Sequence, residues 1–85
     1  MLDQLVNWLQ QQTWAEHVCR DARSWRDRVQ FYAPVRGVVH RCVAYCYEDD
    51  AHFYWWCDVF NPEDDPIAVR SIPALQALIK KEANV

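Results

Sequence analysis

The segment from Val38 to Phe60 constrains this chain more than any other. Two runs, Val38 to Tyr47 and His52 to Phe60, are dense in β-branched and aromatic residues, and the polar Glu48-Asp49-Asp50-Ala51 separates them. That is the pattern of a β-hairpin. A two-residue turn at Asp49-Asp50 would set its register. Tyr47 then faces His52, Tyr45 faces Tyr54, Val43 faces Trp56 and Arg41 faces Asp58. On the opposite face Cys46 meets Phe53, Ala44 meets Trp55, Cys42 meets Cys57 and His40 meets Val59. Small residues fall opposite large ones and a cation falls opposite an anion, as cross-strand pairing favours. The face carrying Cys42, Ala44, Cys46 and Trp55 can only be core. The other carries Arg41, Tyr45, Tyr47, His52, Tyr54, Trp56 and Asp58. It is aromatic but polar-tipped, and it is the expected partner-binding face.

The flanking segments supply the rest of a small α+β domain. Leu2, Leu5, Val6 and Leu9 recur at helical spacing, and Asp3 suits a helix N-terminus, so residues 2–12 are expected to be helical. Thr13-Trp14-Ala15-Glu16 fits a capping box, which starts a second helix through about Ala22. The same letters fit one continuous helix. Either way Trp14, Val18 and Trp25 would line one stripe. Arg28 to Ala33 alternates, with Val29, Phe31 and Ala33 on one side and Arg28, Gln30 and Tyr32 on the other, as in a half-buried strand. Pro34-Val35-Arg36-Gly37 reads as a turn. After the hairpin come an acidic loop, Asn61-Pro62-Glu63-Asp64-Asp65-Pro66, and a short fourth strand at Ile67 to Arg70. Ser71 caps a last helix with Ile72, Leu75, Leu78 and Ile79 on its apolar stripe and Lys80 and Lys81 at its end.

The expected fold is therefore a two-layer sandwich: an N-terminal helix or helix pair, a three- to four-stranded antiparallel meander, and a C-terminal helix. Both helices should cover the Ala44/Trp55 face. The element order is similar to that of the double-stranded-RNA-binding domain. The basic cluster which that domain carries at the start of its last helix is lacking here, and no family is assigned.

Eighty-five residues allow one domain. No stretch approaches the roughly 18 apolar residues of a membrane helix, and Met1-Leu2-Asp3-Gln4 does not open like a signal peptide. The expected compartment is the cytoplasm, with the four cysteines reduced. The net charge of −3 is segregated. Arg20 to Arg41 holds six arginines against Asp21 and Asp27, whereas Cys42 to Val69 holds seven acids and no Lys or Arg. One positive surface (Arg20, Arg23, Arg26, Arg28) and one acidic surface (Glu48, Asp49, Asp50, Glu63, Asp64, Asp65) favour protein partners or self-association.

The four cysteines and three histidines also raise the question of metal. Cys42 and Cys46 would lie ~13 Å apart on a strand and cannot share an ion. His40, Cys42 and Cys57 share a face, and a fourth ligand would have to come from His17 or Cys19. Buried apolar thiols under the helices are the simpler expectation, with no cofactor. Catalysis is not expected. A nucleophilic cysteine needs an adjacent base and an orienting group, and a single glycine, Gly37, leaves no Gly-rich phosphate loop.

Tyr, Trp and Arg are the residues that anchor protein interfaces. The expected function is that of a small acidic protein-binding module, of the kind found in inhibitors, immunity proteins or phage-type antagonists of nucleic-acid-handling complexes. Two alternatives accompany it. One is a single-stranded nucleic-acid binder that stacks bases on Tyr45, Tyr47, Tyr54 and Trp56 with help from Arg20 to Arg28; the acidic loops would repel its phosphates. The other is a structural homodimer formed through the same face.

Overall fold

The computed structural model describes residues 1–61 and 63–83. It shows an N-terminal helix, a five-stranded antiparallel sheet and a C-terminal helix: α1 (Asp3–Gln10), β1 (Glu16–Ala22), β2 (Arg26–Val35), β3 (Val38–Tyr47), β4 (Phe53–Cys57), β5 (Ile67–Val69) and α2 (Ile72–Ala83). The strands follow one another across the sheet in chain order.

The hairpin register is the one its residues dictate. Cys42 pairs with Cys57, Val43 with Trp56, Ala44 with Trp55, Tyr45 with Tyr54 and Cys46 with Phe53. A shift by one residue would turn Trp55 out and Trp56 in, leaving neither face coherent. The connection is longer than a two-residue turn. The Asp50 amide donates to the Tyr47 carbonyl (3.3 Å), and the Asp50 carboxylate accepts from the His52 amide (2.9 Å), so Glu48 to His52 form the loop. Tyr47 and His52 accordingly stand outside the β3–β4 ladder.

The fifth strand is the N-terminal one. Residues 16–22 form β1 rather than a second helix, and the capping-box reading of Thr13 to Glu16 is corrected. β2 alternates between buried and half-buried positions along its whole length, so its outer edge needs a partner to satisfy its backbone groups. β1 supplies one, with Arg20 opposite Val29 and Asp21 opposite Arg28. A register shift between Glu16 and Cys19, with His17 at φ 54°, marks a bulge in this edge strand. The expected Trp14/Val18/Trp25 stripe is not formed. Trp14 packs edge-on against Trp8 at 5.7 Å, whereas Trp25 is exposed at the β1–β2 tip and stacks on Tyr47 at 6.4 Å.

β2 extends beyond the expected Arg28 to Ala33, and its buried side runs Asp27, Val29, Phe31, Ala33, Val35. The turn to β3 contracts to Arg36-Gly37, at φ 55° and 82°, between the closing pair Val35 and Val38. Positive φ at both central residues matches the strand twist, and glycine adopts it without cost. Pro34 thus belongs to β2, where β1 no longer pairs beyond Tyr32. β5 is the expected short strand, with Tyr54 opposite Ala68. α2 begins as expected, the Ser71 hydroxyl accepting the Ala74 amide at 3.1 Å.

Both helices pack on one face of the sheet. Leu2, Leu5 and Leu9 from the α1 segment and Leu75, Ile79 and Ala83 from α2 join Val29, Phe31, Ala44, Cys46 and Trp55 in a single core. Trp55, fully buried, lies 5.8 Å from Phe31 at its centre. One acid enters this layer: Asp27 accepts from the Leu2 amide (2.9 Å) and from both arms of Arg20 (3.0 and 2.6 Å). Arg20 also reaches Asp3 at 2.6 Å and so ties α1 to the sheet. No helix of the described residues is long and apolar enough to cross a membrane.

Candidate interaction surface

The face that the helices leave open is built by strand alternation. β2 contributes Arg26, Arg28, Gln30 and Tyr32; β3 contributes Arg41, Val43, Tyr45 and Tyr47; β4 contributes Tyr54 and Trp56. The ladders set them in rows. Arg28, Tyr45 and Tyr54 form one, and Gln30, Val43 and Trp56 the next. Arg26 stands opposite Tyr47 and Tyr32 opposite Arg41.

The tyrosines interlock. Tyr45 stacks on Tyr54 at 5.2 Å, and Tyr47 meets both edge-on at 5.8 and 6.2 Å. These are the offset and edge-to-face contacts that aromatic quadrupoles favour. Two arginines lie on rings: Arg41 over Trp56 at 5.8 Å, and Arg26 over Trp25 at 5.0 Å. Between them opens a groove of 310 Å³ with Val43 at its floor, Tyr45, Tyr47 and Trp56 around it, Arg26 and Arg28 on one side and Pro66 on the other.

Asp50 anchors one end of the platform. Its carboxylate accepts from the Tyr54 hydroxyl, the His52 amide and the His52 ring (2.9 Å). The Tyr54 hydroxyl above all, then the His52 amide, brings the Asp50 pKa down to about 2. The same bond to Asp50 raises the Tyr54 phenol to about 12. Asp50 therefore holds a ring of the aromatic face, while Glu48 and Asp49 are exposed at the hairpin tip. Glu63, Asp64 and Asp65 are exposed in the β4–β5 loop; Pro62 of that loop lies outside the described residues.

Arg41 and Asp58 still meet through the backbone, the Asp58 amide donating to the Arg41 carbonyl at 3.1 Å, but among the described residues their side chains form no ion pair. β4 ends at Cys57, and the Phe60 amide bonds to the Cys57 carbonyl at 3.0 Å, so the chain turns and strand alternation stops. Asp58 binds the His40 ring (2.7 Å) and the Arg41 amide (3.3 Å) instead. This turn also removes the His40–Val59 pairing. Of the seven expected face residues, six gather around the platform and Asp58 leaves it.

The basic group divides between the faces. Arg20 belongs to the Asp27 network at the core rim, and Arg23 is exposed near Asp21. Arg26 and Arg28 join the aromatic face. Their link to Tyr45 and Tyr47 was the feature missed from sequence, although a β-turn at Arg36-Gly37 dictates it once recognised.

The thiols form no ligand set. The Cys42 and Cys57 Sγ atoms are 3.9 Å apart and fully buried, but the His40 ring is turned to Asp58. Cys19 pairs with Gln30 on the opposite face, and His17 packs edge-on against Tyr32 at 5.9 Å. Among the described residues no three His, Cys, Asp or Glu side chains are disposed to hold a metal. Burial pushes the Cys42 and Cys57 thiols up and keeps them protonated.

Comparison with protein-family models, with curated proteins and with solved structures returned no match.

Proposed function

We propose that this chain is a small acidic protein-binding module that docks through its open sheet face, as inhibitors and antagonists of larger complexes do. One observation carries the reading. Tyr45, Tyr47, Tyr54 and Trp56 form a contiguous aromatic platform edged by Arg26, Arg28 and Arg41, on the side of the sheet away from both helices. Such residues bury large areas while keeping a polar handle, which is why they dominate binding energetics at interfaces. Binding rather than catalysis is favoured because the Cys42 and Cys57 thiols are fully buried and held protonated. A cytoplasmic site of action belongs to the same proposal and is supported by the four free cysteines.

Arg26 and Arg28 standing on the aromatic face itself favour a second reading, a platform for single-stranded nucleic acid. Capture from native extract, with and without nuclease, separates the two. A protein partner that survives nuclease and is lost with Trp56→Ala supports the docking module. Partners lost wholly on nuclease treatment support the nucleic-acid platform.

A further inference from the structure

The groove at the centre of the open face has a definite chemistry. Arg26 and Arg28 line it, together with Val43, Tyr45, Tyr47 and Trp56, and no acid does. Arg28 forms no ion pair among the described residues. Its cross-strand neighbour Asp21 is engaged elsewhere, by Arg26 at 3.0 Å and Arg23 at 3.5 Å. Arg26 keeps a buried Nε–H with no acceptor among the described residues. A half-buried guanidinium without a counter-charge forms strong, geometrically specific bonds to an incoming carboxylate. The rest of the groove is aromatic and aliphatic, and 310 Å³ accommodates one or two side chains rather than a long ligand.

We infer that this groove receives an acidic, aromatic-bearing segment of a protein partner, its carboxylate on Arg28 and Arg26 and its ring against Trp56 and Tyr47. The inference rests on the docking role proposed above for the same face. Charge placement selects a peptide over a nucleic-acid strand. Glu48 and Asp49 at the hairpin tip and Asp64 and Asp65 in the β4–β5 loop are all exposed outside the groove, Asp64 and Asp65 beside Arg36, Phe60 and Ile67. A phosphate backbone extending beyond the groove would meet a chain of net charge −3 with these acids exposed on its loops. A peptide can place a carboxylate on the arginines and neutral or basic residues beyond them. The net negative charge of the chain then disfavours uniformly acidic partners, which gives selectivity as well as attraction.

The test is a titration of the isotopically labelled chain with a short synthetic peptide of alternating glutamate and phenylalanine. The same peptide with lysine for glutamate, and an oligothymidylate, serve as comparisons. The expected result is saturable shifts at Arg26, Arg28, Tyr47 and Trp56 with the acidic peptide alone. Arg28→Gln should weaken that binding by roughly tenfold, the loss of one charge-assisted contact, while Arg36→Gln at the β2–β3 turn leaves it unchanged. Equal binding of both peptides, or no binding of the acidic one, overturns the anionic assignment; the docking role itself stands if Trp56→Ala still abolishes partner capture. Tighter binding of the oligothymidylate overturns both in favour of the nucleic-acid platform.

Discussion

Arg28 stands directly across the β2–β3 ladder from Tyr45, on the sheet face that neither helix covers. This one pairing joins the basic segment of the chain to its aromatic hairpin. It turns an aromatic surface into one with fixed positive charge, while the molecule as a whole carries −3. On the other face, the corresponding positions form an apolar layer sealed by α1 and α2. Two adjacent tryptophans thus have opposite duties: Trp55 is fully buried, and Trp56 sits half-buried at the groove.

The covered face should tolerate neither enlargement nor deletion. Ala44 is fully buried opposite Trp55, so Ala44→Leu should destabilise the fold by about 1–3 kcal/mol through overpacking. Trp55→Ala should cost about 3–5 kcal/mol. Urea denaturation checks both. An unchanged midpoint for Ala44→Leu would contradict the assignment of faces.

Acid should weaken the protein through Asp27. Burial pushes its carboxyl up, but Arg20 and the Leu2 amide outweigh burial, and it titrates below its ordinary 3.8. The folded state therefore favours the ionised form. The stabilisation is fully present above the unfolded value and is lost as pH falls through the folded one. Asp27→Asn should cost about 1–3 kcal/mol at neutral pH, with the difference from wild type shrinking below about pH 4. Melting curves across pH measure it; a pH-independent difference would contradict the role given to the Arg20–Asp27 pair.

Tyr54 should resist ionisation until strongly alkaline pH. Its hydroxyl donates to Asp50, which raises it to about 12. Replacing the carboxylate, in Asp50→Asn, should return it towards the ordinary value near 10. Ring-carbon chemical shifts followed through alkaline pH report this directly.

Thiol accessibility should divide the cysteines. Cys19 is exposed, whereas Cys42, Cys46 and Cys57 are buried. A disulfide reagent should modify Cys19 rapidly in the native protein and the other three only on unfolding. Fast modification of Cys42 or Cys57 would mean that the layer beneath the helices is open.

The hairpin was legible in the sequence because only one register sets Ala44 against Trp55 and keeps Trp56 on the polar-tipped side. The C-terminal helix was legible from Ser71 and the Leu75/Ile79 spacing. β1 was not, because Thr13 to Glu16 carries a local helix signal that pairing with β2 overrides, and that need for a partner is non-local. Asp58 was misplaced because nothing within the aromatic run announces that strand geometry ends at Cys57. The meeting of Arg28 with Tyr45 is hidden in the sequence for a related reason. It depends on which pair closes the β2–β3 turn, and Pro34 widens the expected turn to Pro34-Val35-Arg36-Gly37 where Arg36-Gly37 alone forms it.

The central claim is that the open face is a docking surface and not a second core. The most direct measurement compares Trp56→Ala with wild type for thermal stability and for capture of a nuclease-resistant protein partner from native extract. A variant that stays folded, with far less loss of stability than Trp55→Ala, and no longer captures the partner is the predicted result. A variant that unfolds, or one that captures the partner as wild type does, would contradict it.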